Sequence, residues 1–151
     1  CPDCPRLTKD DIDRLGAARR FGKAILYSRQ WLYAAFDMSL STEPQPPMQA
    51  WERLESQTPL GFVEGTLFPA SFSHIASNYA AGYYGYMWSQ AIALDMLSAF
   101  SKNLLDAKTG RRYRDTILAQ GGQVEPADMV RRFLGREPAT QAFFAEITGR
   151  R

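Results

Sequence analysis

From Ile12 to Leu40 the apolar residues return at helical spacing, through Leu15, Ala18, Gly22, Ile25, Leu26, Leu32, Tyr33 and Phe36. A stripe of this period lies along one face of a helix; it does not suit a strand, whose side chains alternate with period two. Just ahead of it, Thr8-Lys9-Asp10-Asp11 resembles a capping box with Asp where Glu is usual. One long helix from about residue 9 to residue 40 is therefore expected. Gly16 and Gly22 each lower its intrinsic propensity by about 1 kcal/mol relative to Ala, and close helix packing is the expected reason for both.

The rest of the chain reads in the same class. Ser41 to Pro47 holds three prolines and is a linker. A short helix follows from about residue 47 to residue 57, with proline at its first position. Between Thr58 and His74, Gly61, Gly65, Pro69 and three phenylalanines predict an ordered loop. The next helix is expected from about Ala80 to Leu105, and because it is apolar nearly all round it belongs at the centre. After Gly110 come a short helix around Arg114 to Ala119 and a Gly121-Gly122 turn. Glu125-Pro126 and Glu137-Pro138 are expected to open two final helices, since proline and a nearby carboxylate both suit a helix N-terminus. Gly135 is expected to end the first of these. No segment sustains period-two alternation, so the chain reads as all-α: a terminal segment over residues 1–7 and one helical domain over residues 8–151.

Composition narrows the function classes. The 151 residues are 45% hydrophobic and 23% charged, which is globular and not disordered composition. A chain of this length buries roughly two-thirds of its unfolded surface. The formal charge is +2, and the pairs Arg19-Arg20, Arg111-Arg112, Arg131-Arg132 and Arg150-Arg151 are scattered, as solvated helix faces are. No nucleic-acid footprint results. No apolar run is long enough to span a membrane. The start, Cys1-Pro2-Asp3-Cys4-Pro5, has neither the charge nor the apolar stretch of a signal peptide. Lacking an initiator Met, the sequence is expected to begin inside a longer product or to follow processing. Cys1 and Cys4 are too few for a structural zinc site and have no strand before them for a redox motif. They are expected to be a terminal pair without function, the alternatives being a disulfide or a ligand pair completed by a partner chain.

The chemistry concentrates in residues 71–88, Ser-Phe-Ser-His-Ile-Ala-Ser-Asn-Tyr-Ala-Ala-Gly-Tyr-Tyr-Gly-Tyr-Met-Trp. His74 is the only histidine. Tyr79, Tyr83 and Tyr86 follow at spacings of four and three, which on a helix stacks them on one face, while Tyr84 points elsewhere. Gly82 and Gly85 are expected to clear space beside the rings. Several phenolic O–H donors aimed at one point can stabilise an oxyanion as it forms, where losing one good donor costs about 3 kcal/mol. Tyrosines at this spacing are more often core-edge residues with hydroxyls on water or backbone, and a lone histidine is more often structural than catalytic.

Phe72 to Trp88 is similar to the stretch of thimet oligopeptidase, neurolysin, oligopeptidase A and dipeptidyl carboxypeptidase that reads Phe-Gly-His, small residues, Gly-Tyr, then Tyr-Tyr-x-Tyr-x-Trp. The likeness continues through Asp95-Met96, Phe100, Tyr113 to Leu118 and Gly121-Gly122. It ends in Phe133-Leu134-Gly135-Arg136-Glu137-Pro138, which resembles a closing Phe-x-Gly-Arg-x-Pro. The first helix, with Arg29-Gln30 and Phe36-Asp37, also looks like the family's. The chain thus resembles the C-terminal part of the thimet oligopeptidase family, and the fold implied is the helical C-terminal subdomain of a zincin-type oligopeptidase.

That resemblance implies hydrolysis of short peptides in a deep helical channel. Zinc would be held by a His-Glu-x-x-His helix and a later Glu, with the motif's Glu activating water. Tyr79 and Tyr86 match the phenols that hydrogen-bond the scissile carbonyl or the tetrahedral intermediate. His74 matches a substrate-contacting histidine and Tyr83 a further tyrosine of the cleft. The chain departs from the pattern at Ser73, where the family often has Gly, and at Ser77-Asn78, where it usually has Gly-Gly. Of the latter two, Asn78 suits a left-handed conformation and Ser77 brings no comparable gain.

With one histidine, this chain holds no His-Glu-x-x-His and is expected to bind no zinc and to be inactive alone. Two readings follow. In the first it is a fragment or subunit of an active peptidase, and a companion polypeptide supplies the zinc helix. In the second it is an inactive remnant serving as a structural subunit of a larger complex. Such families have cytoplasmic and mitochondrial members, and the sequence leaves the compartment undetermined.

Overall fold

The computed structural model describes residues 4–100 and 103–149. In chain order the helices are α1 (Lys9–Arg20), α2 (Lys23–Thr42), α3 (Pro47–Glu55), α4 (Phe68–Ser71), α5 (Gly85–Ser98), α6 (Ala107–Thr116), α7 (Pro126–Leu134) and α8 (Gln141–Ile147), with 3₁₀ turns at Ser73–Ala76 and Leu118–Gln120. No strand occurs among the described residues. The chain is all-α.

The capping box forms: the Asp11 N–H donates to the Thr8 hydroxyl at 3.1 Å and the Thr8 N–H donates to the Asp11 carboxylate at 2.9 Å. These two bonds satisfy donors that the first turn of a helix would otherwise leave open. The single helix expected from residue 9 to residue 40 is instead two. Phe21 is extended and Gly22 takes a left-handed φ of 71°. A Cβ on Gly22 would meet nothing within 4 Å, and one on Gly16 would meet only the Arg20 guanidinium at 3.5 Å. Close packing therefore explains neither glycine. Gly22 serves the left-handed turn itself, which a side chain would strain.

Other boundaries shift for local reasons. α3 starts on Pro47 as expected and stops at Glu55. The fifth helix begins at Gly85, because residues 78–84 are used in turns that carry the tyrosines, and it ends at Ser98, short of the expected 105. The sixth spans 107–116, earlier than the spacing implied, with Asp106 capping the Thr109 N–H at 2.7 Å. α7 opens on Pro126 and closes on Gly135. Glu137-Pro138 opens no helix: it lies in the loop before α8, where Glu137 accepts from Arg131.

One apolar cluster joins α2 to α3 and to the segment after it. Trp51 stacks on Phe68 at 4.4 Å and meets Phe36 edge-on at 5.3 Å; Leu32, Ala50, Leu54, Phe72 and Tyr83 fill the space between. Truncating a fully buried aromatic such as Trp51 costs about 3–5 kcal/mol. A second grouping sits at the other end, where Phe133 packs against Tyr113 at 5.5 Å and Phe100 at 6.2 Å. α5 bridges the two, touching α2, α7 and α8. Its expected central burial is only partly realised: Leu94 and Asp95 are its buried residues, while Tyr86, Trp88 and Leu97 are exposed. α1 has no buried residue. At the N-terminus Cys4 is disulfide-bonded, and Cys1 lies outside the described residues.

Candidate functional site

The segment from Phe72 to Tyr86 is a loop, a 3₁₀ turn and a run of tight turns that enters α5. It is held at both ends. Phe72 is sunk in the aromatic cluster. At the other end Asp37, in the C-terminal part of α2 and 1% exposed, receives the N–H of Ala81 and the N–H of Tyr83 on its two carboxylate oxygens, each at 2.9 Å. Ala81 has a φ of 59°, the one positive φ outside glycine among the described residues. A left-handed residue turns alternate amides toward a common point and makes an anion-binding concavity; here the anion is the protein's own carboxylate. Sequence reasoning quoted Asp37 within a motif and gave it no role. The available signal was a lone acid in the apolar run Ala34-Ala35-Phe36-Asp37-Met38, since a charge at a core position requires partners.

Ser77 is extended, with φ −126° and ψ −179°. Its hydroxyl donates to the His74 carbonyl at 3.1 Å and accepts the Tyr79 N–H at 3.2 Å. Ser77 thus gains two bonds that glycine lacks, a gain of another kind than the left-handed conformation expected of Asn78. Asn78 takes no left-handed conformation; Ala81 does. Of the two glycines beside the rings, only Gly82 is closely approached: a Cβ there would stand 3.0 Å from the Tyr79 carbonyl oxygen and 3.4 Å from its ring, whereas Gly85 faces open space.

The tyrosines come together without sharing a helix face. Tyr79 and Tyr83 lie in turns and Tyr86 in the first turn of α5. Tyr79 and Tyr86 stack with centroids 5.8 Å apart, and Tyr83 meets Tyr86 at 4.9 Å. The His74 ring stands edge-on to all three, at 5.8 Å from Tyr79, 5.0 Å from Tyr83 and 6.1 Å from Tyr86. Its Nε2 is 3.4 Å from the Tyr86 hydroxyl. Tyr79 and Tyr86 are 48% and 47% exposed, and Tyr83 is 8% exposed, within the core cluster. Burial pushes the Tyr83 phenol above its ordinary range, opposed by a hydrogen bond with the Gln30 side chain. Tyr83 therefore stays a neutral hydroxyl. Tyr84 faces solvent.

With this geometry in place, the chain can be set beside known proteins. Residues 4–149 match Peptidase family M3. The chain belongs to that family. It is 36% identical over 145 residues to oligopeptidase A of Escherichia coli, covering 90% of this chain and 21% of that protein. It is 38% identical over 144 residues to saccharolysin of Saccharomyces cerevisiae, covering 90% and 20%. It is 35% identical over 147 residues to the organellar (chloroplastic/mitochondrial) oligopeptidase A of Arabidopsis thaliana, covering 89% and 19%. The M3 chain described here spans about a fifth of the length of the curated relatives it matches.

The zinc that the family implies does not fit the residues present. Among the described residues no group of three or more His, Cys, Asp or Glu side chains is placed to hold a metal ion, and His74 is packed among aromatic rings. No helix among them is long and apolar enough to cross a membrane.

Proposed function

We propose that this chain is one portion of an M3 oligopeptidase that hydrolyses short peptides, and that a companion polypeptide carries the zinc-binding helix. The observation that carries this reading is the stacked, half-exposed pair Tyr79 and Tyr86 beside His74. Two phenols on one edge offer two O–H donors to a single oxygen. As a scissile carbonyl becomes tetrahedral its oxygen gains negative charge, and donors already in place stabilise that charge without reorganising. Tyr79 and Tyr86 take this role. His74, whose ring contacts both, orients the Tyr86 hydroxyl and contacts the peptide beside it. Tyr83 belongs to the same cleft, where its buried ring, tied to Gln30, sets the positions of His74 and Tyr86. Asp37 is a positioning residue: it fixes the backbone on which the cluster stands. The zinc and the water it activates belong to the companion.

In the assembled enzyme Tyr86→Phe lowers kcat by about tenfold or more, with KM and thermal melting little changed. Turnover equal to wild type in the variant removes the phenol from the mechanism. Finding this chain with unrelated subunits and no zinc-binding polypeptide replaces the whole reading with that of a structural subunit.

A further inference from the structure

A cavity of about 530 Å³ lies between the first half of α2, the end of α3 and the segment around Phe68. It shares no lining residue with the cluster of His74, Tyr79, Tyr83 and Tyr86. Its wall carries one charge of each sign, Arg29 on α2 and Glu55 at the end of α3. Among the described residues neither forms an ion pair, with the other or with any third group. Arg29 is nonetheless positioned: its Nε–H donates to the Tyr33 hydroxyl at 3.0 Å, and its guanidinium lies over the Tyr33 ring at 5.7 Å. Glu55 is half-buried, and its Oε2 is buried with no hydrogen-bond partner. The indole Nε1 of Trp51, on the same wall, is in the same position. A buried carboxylate oxygen without a donor costs free energy that only a partner recovers.

The cavity's two hydroxyls supply no donor to it. Thr66 donates to the Val63 carbonyl at 2.8 Å and Ser71 to the Phe68 carbonyl at 3.0 Å, so both oxygens remain as acceptors. Glu55 therefore calls for a cation and Arg29 for an anion. The rest of the wall is apolar, with Val63, Leu67 and Phe68. A molecule that meets all of this carries an ammonium and a carboxylate with apolar groups beside them. A single amino acid holds both charges on one carbon and fills little of the space. A dipeptide sets them apart and brings two side chains, in keeping with a cavity within the range of roughly 300–1,000 Å³ that takes small ligands. We infer that this cavity binds a free apolar dipeptide, its ammonium at Glu55 and its carboxylate at Arg29. No tyrosine of the cluster takes part.

The test is isothermal titration calorimetry of the chain, in whatever assembly it is isolated, with a chelator present so that no peptide is cut. L-leucyl-L-leucine is expected to bind saturably with a Kd of about 1 mM or tighter. Acetylating the peptide's amine weakens wild-type binding by about tenfold or more and changes little in Glu55→Gln. Converting its carboxylate to an amide weakens wild-type binding to the same extent and changes little in Arg29→Gln. This pairing of ligand end with residue is read within each variant, so a loss of stability does not imitate it; circular dichroism melting shows that each variant is folded. Absence of saturable heat, the outcome where ordered water completes the cavity's polar edges, overturns the inference. Free L-leucine binding as tightly as the dipeptide does so too, as do capped peptides binding as well as the free one. Weakening by Tyr86→Phe puts the peptide at the tyrosine cluster instead and removes this site. Binding unchanged in Tyr86→Phe keeps it, whatever that variant does to turnover.

Discussion

Asp37 and Asp95 are the two buried charged residues of the described chain, 1% and 2% exposed, each on an apolar helix and each gripping a loop more than forty residues away. Their partners differ. Asp95 forms a two-pronged pair with Arg136, at 2.5 and 2.9 Å, and accepts the Ala139 N–H at 2.7 Å. Asp37 accepts two backbone amides, and no ion pair to it occurs among the described residues. The Arg136 guanidinium neutralises Asp95, and the loop is held by that side chain and by one backbone amide. Asp37, by contrast, holds the backbone of its loop at two points and without a counter-charge. The C-terminal loop is fastened by an ion pair and one amide, the tyrosine loop by two amides.

Removing the carboxylates separates the two cases most sharply. Asp37→Ala strands two amides, one of them buried, at about 1–3 kcal/mol each, so urea denaturation shows a loss of about 2–6 kcal/mol. Near-ultraviolet circular dichroism shows the tyrosine cluster loosening as well. Asp95→Ala costs less, about 1–3 kcal/mol, because the Arg136 guanidinium is half-exposed and regains water. Equal losses would break the comparison.

Acid sharpens it. The Arg136 hydrogen bond, helped by the Ala139 amide and opposed by burial, holds the Asp95 carboxyl below its ordinary value of 3.8. A carboxyl depressed in the folded state contributes stability that is complete above the unfolded value and is lost as pH falls through the folded one. Wild type therefore loses the Asp95 contribution below about pH 3.8, and Asp95→Asn lacks that step in an acid titration of stability. Salt weakens the Asp95–Arg136 contact, since one partner reaches solvent, and leaves the Asp37 amides unaffected. An acid step retained in Asp95→Asn would assign it to another group.

The smallest expected effect concerns the strained residue that lets the amides converge. The left-handed conformation costs Ala81 about 1–2 kcal/mol, while glycine loses about 0.5–1 kcal/mol of backbone entropy there. Ala81→Gly is thus expected to stabilise the chain by up to about 1 kcal/mol. A destabilised variant would show that the turn is unstrained.

Helix class, the capping box at Thr8 and the proline starts of α3 and α7 were all legible in the residues, whereas the helix face that the spacing gave the tyrosines was not what brought them together. Each of the first three rests on local chemistry: period, a hydroxyl three residues from an amide, a ring that fixes φ. The helix count was not. Gly22 reads as one tolerable glycine in a helix until Phe21 is seen to be extended. The α5 boundary failed because the turns of residues 78–84 are stabilised by Asp37, from another helix. Ser77 was undervalued because its hydroxyl bridges the His74 carbonyl and the Tyr79 amide only in that turn.

By itself the sequence determined that the chain is helical and that it resembles the thimet oligopeptidase family. These follow from residue type and spacing. Tertiary structure alone decided which rings are covered and which remain open: Tyr83 sinks into the core while Tyr79 and Tyr86 stand half in solvent. That choice is made by a carboxylate more than forty residues upstream in the chain, which fixes the backbone beneath them through two hydrogen bonds. No periodicity encodes such a long-range contact; it exists only once the helices have packed.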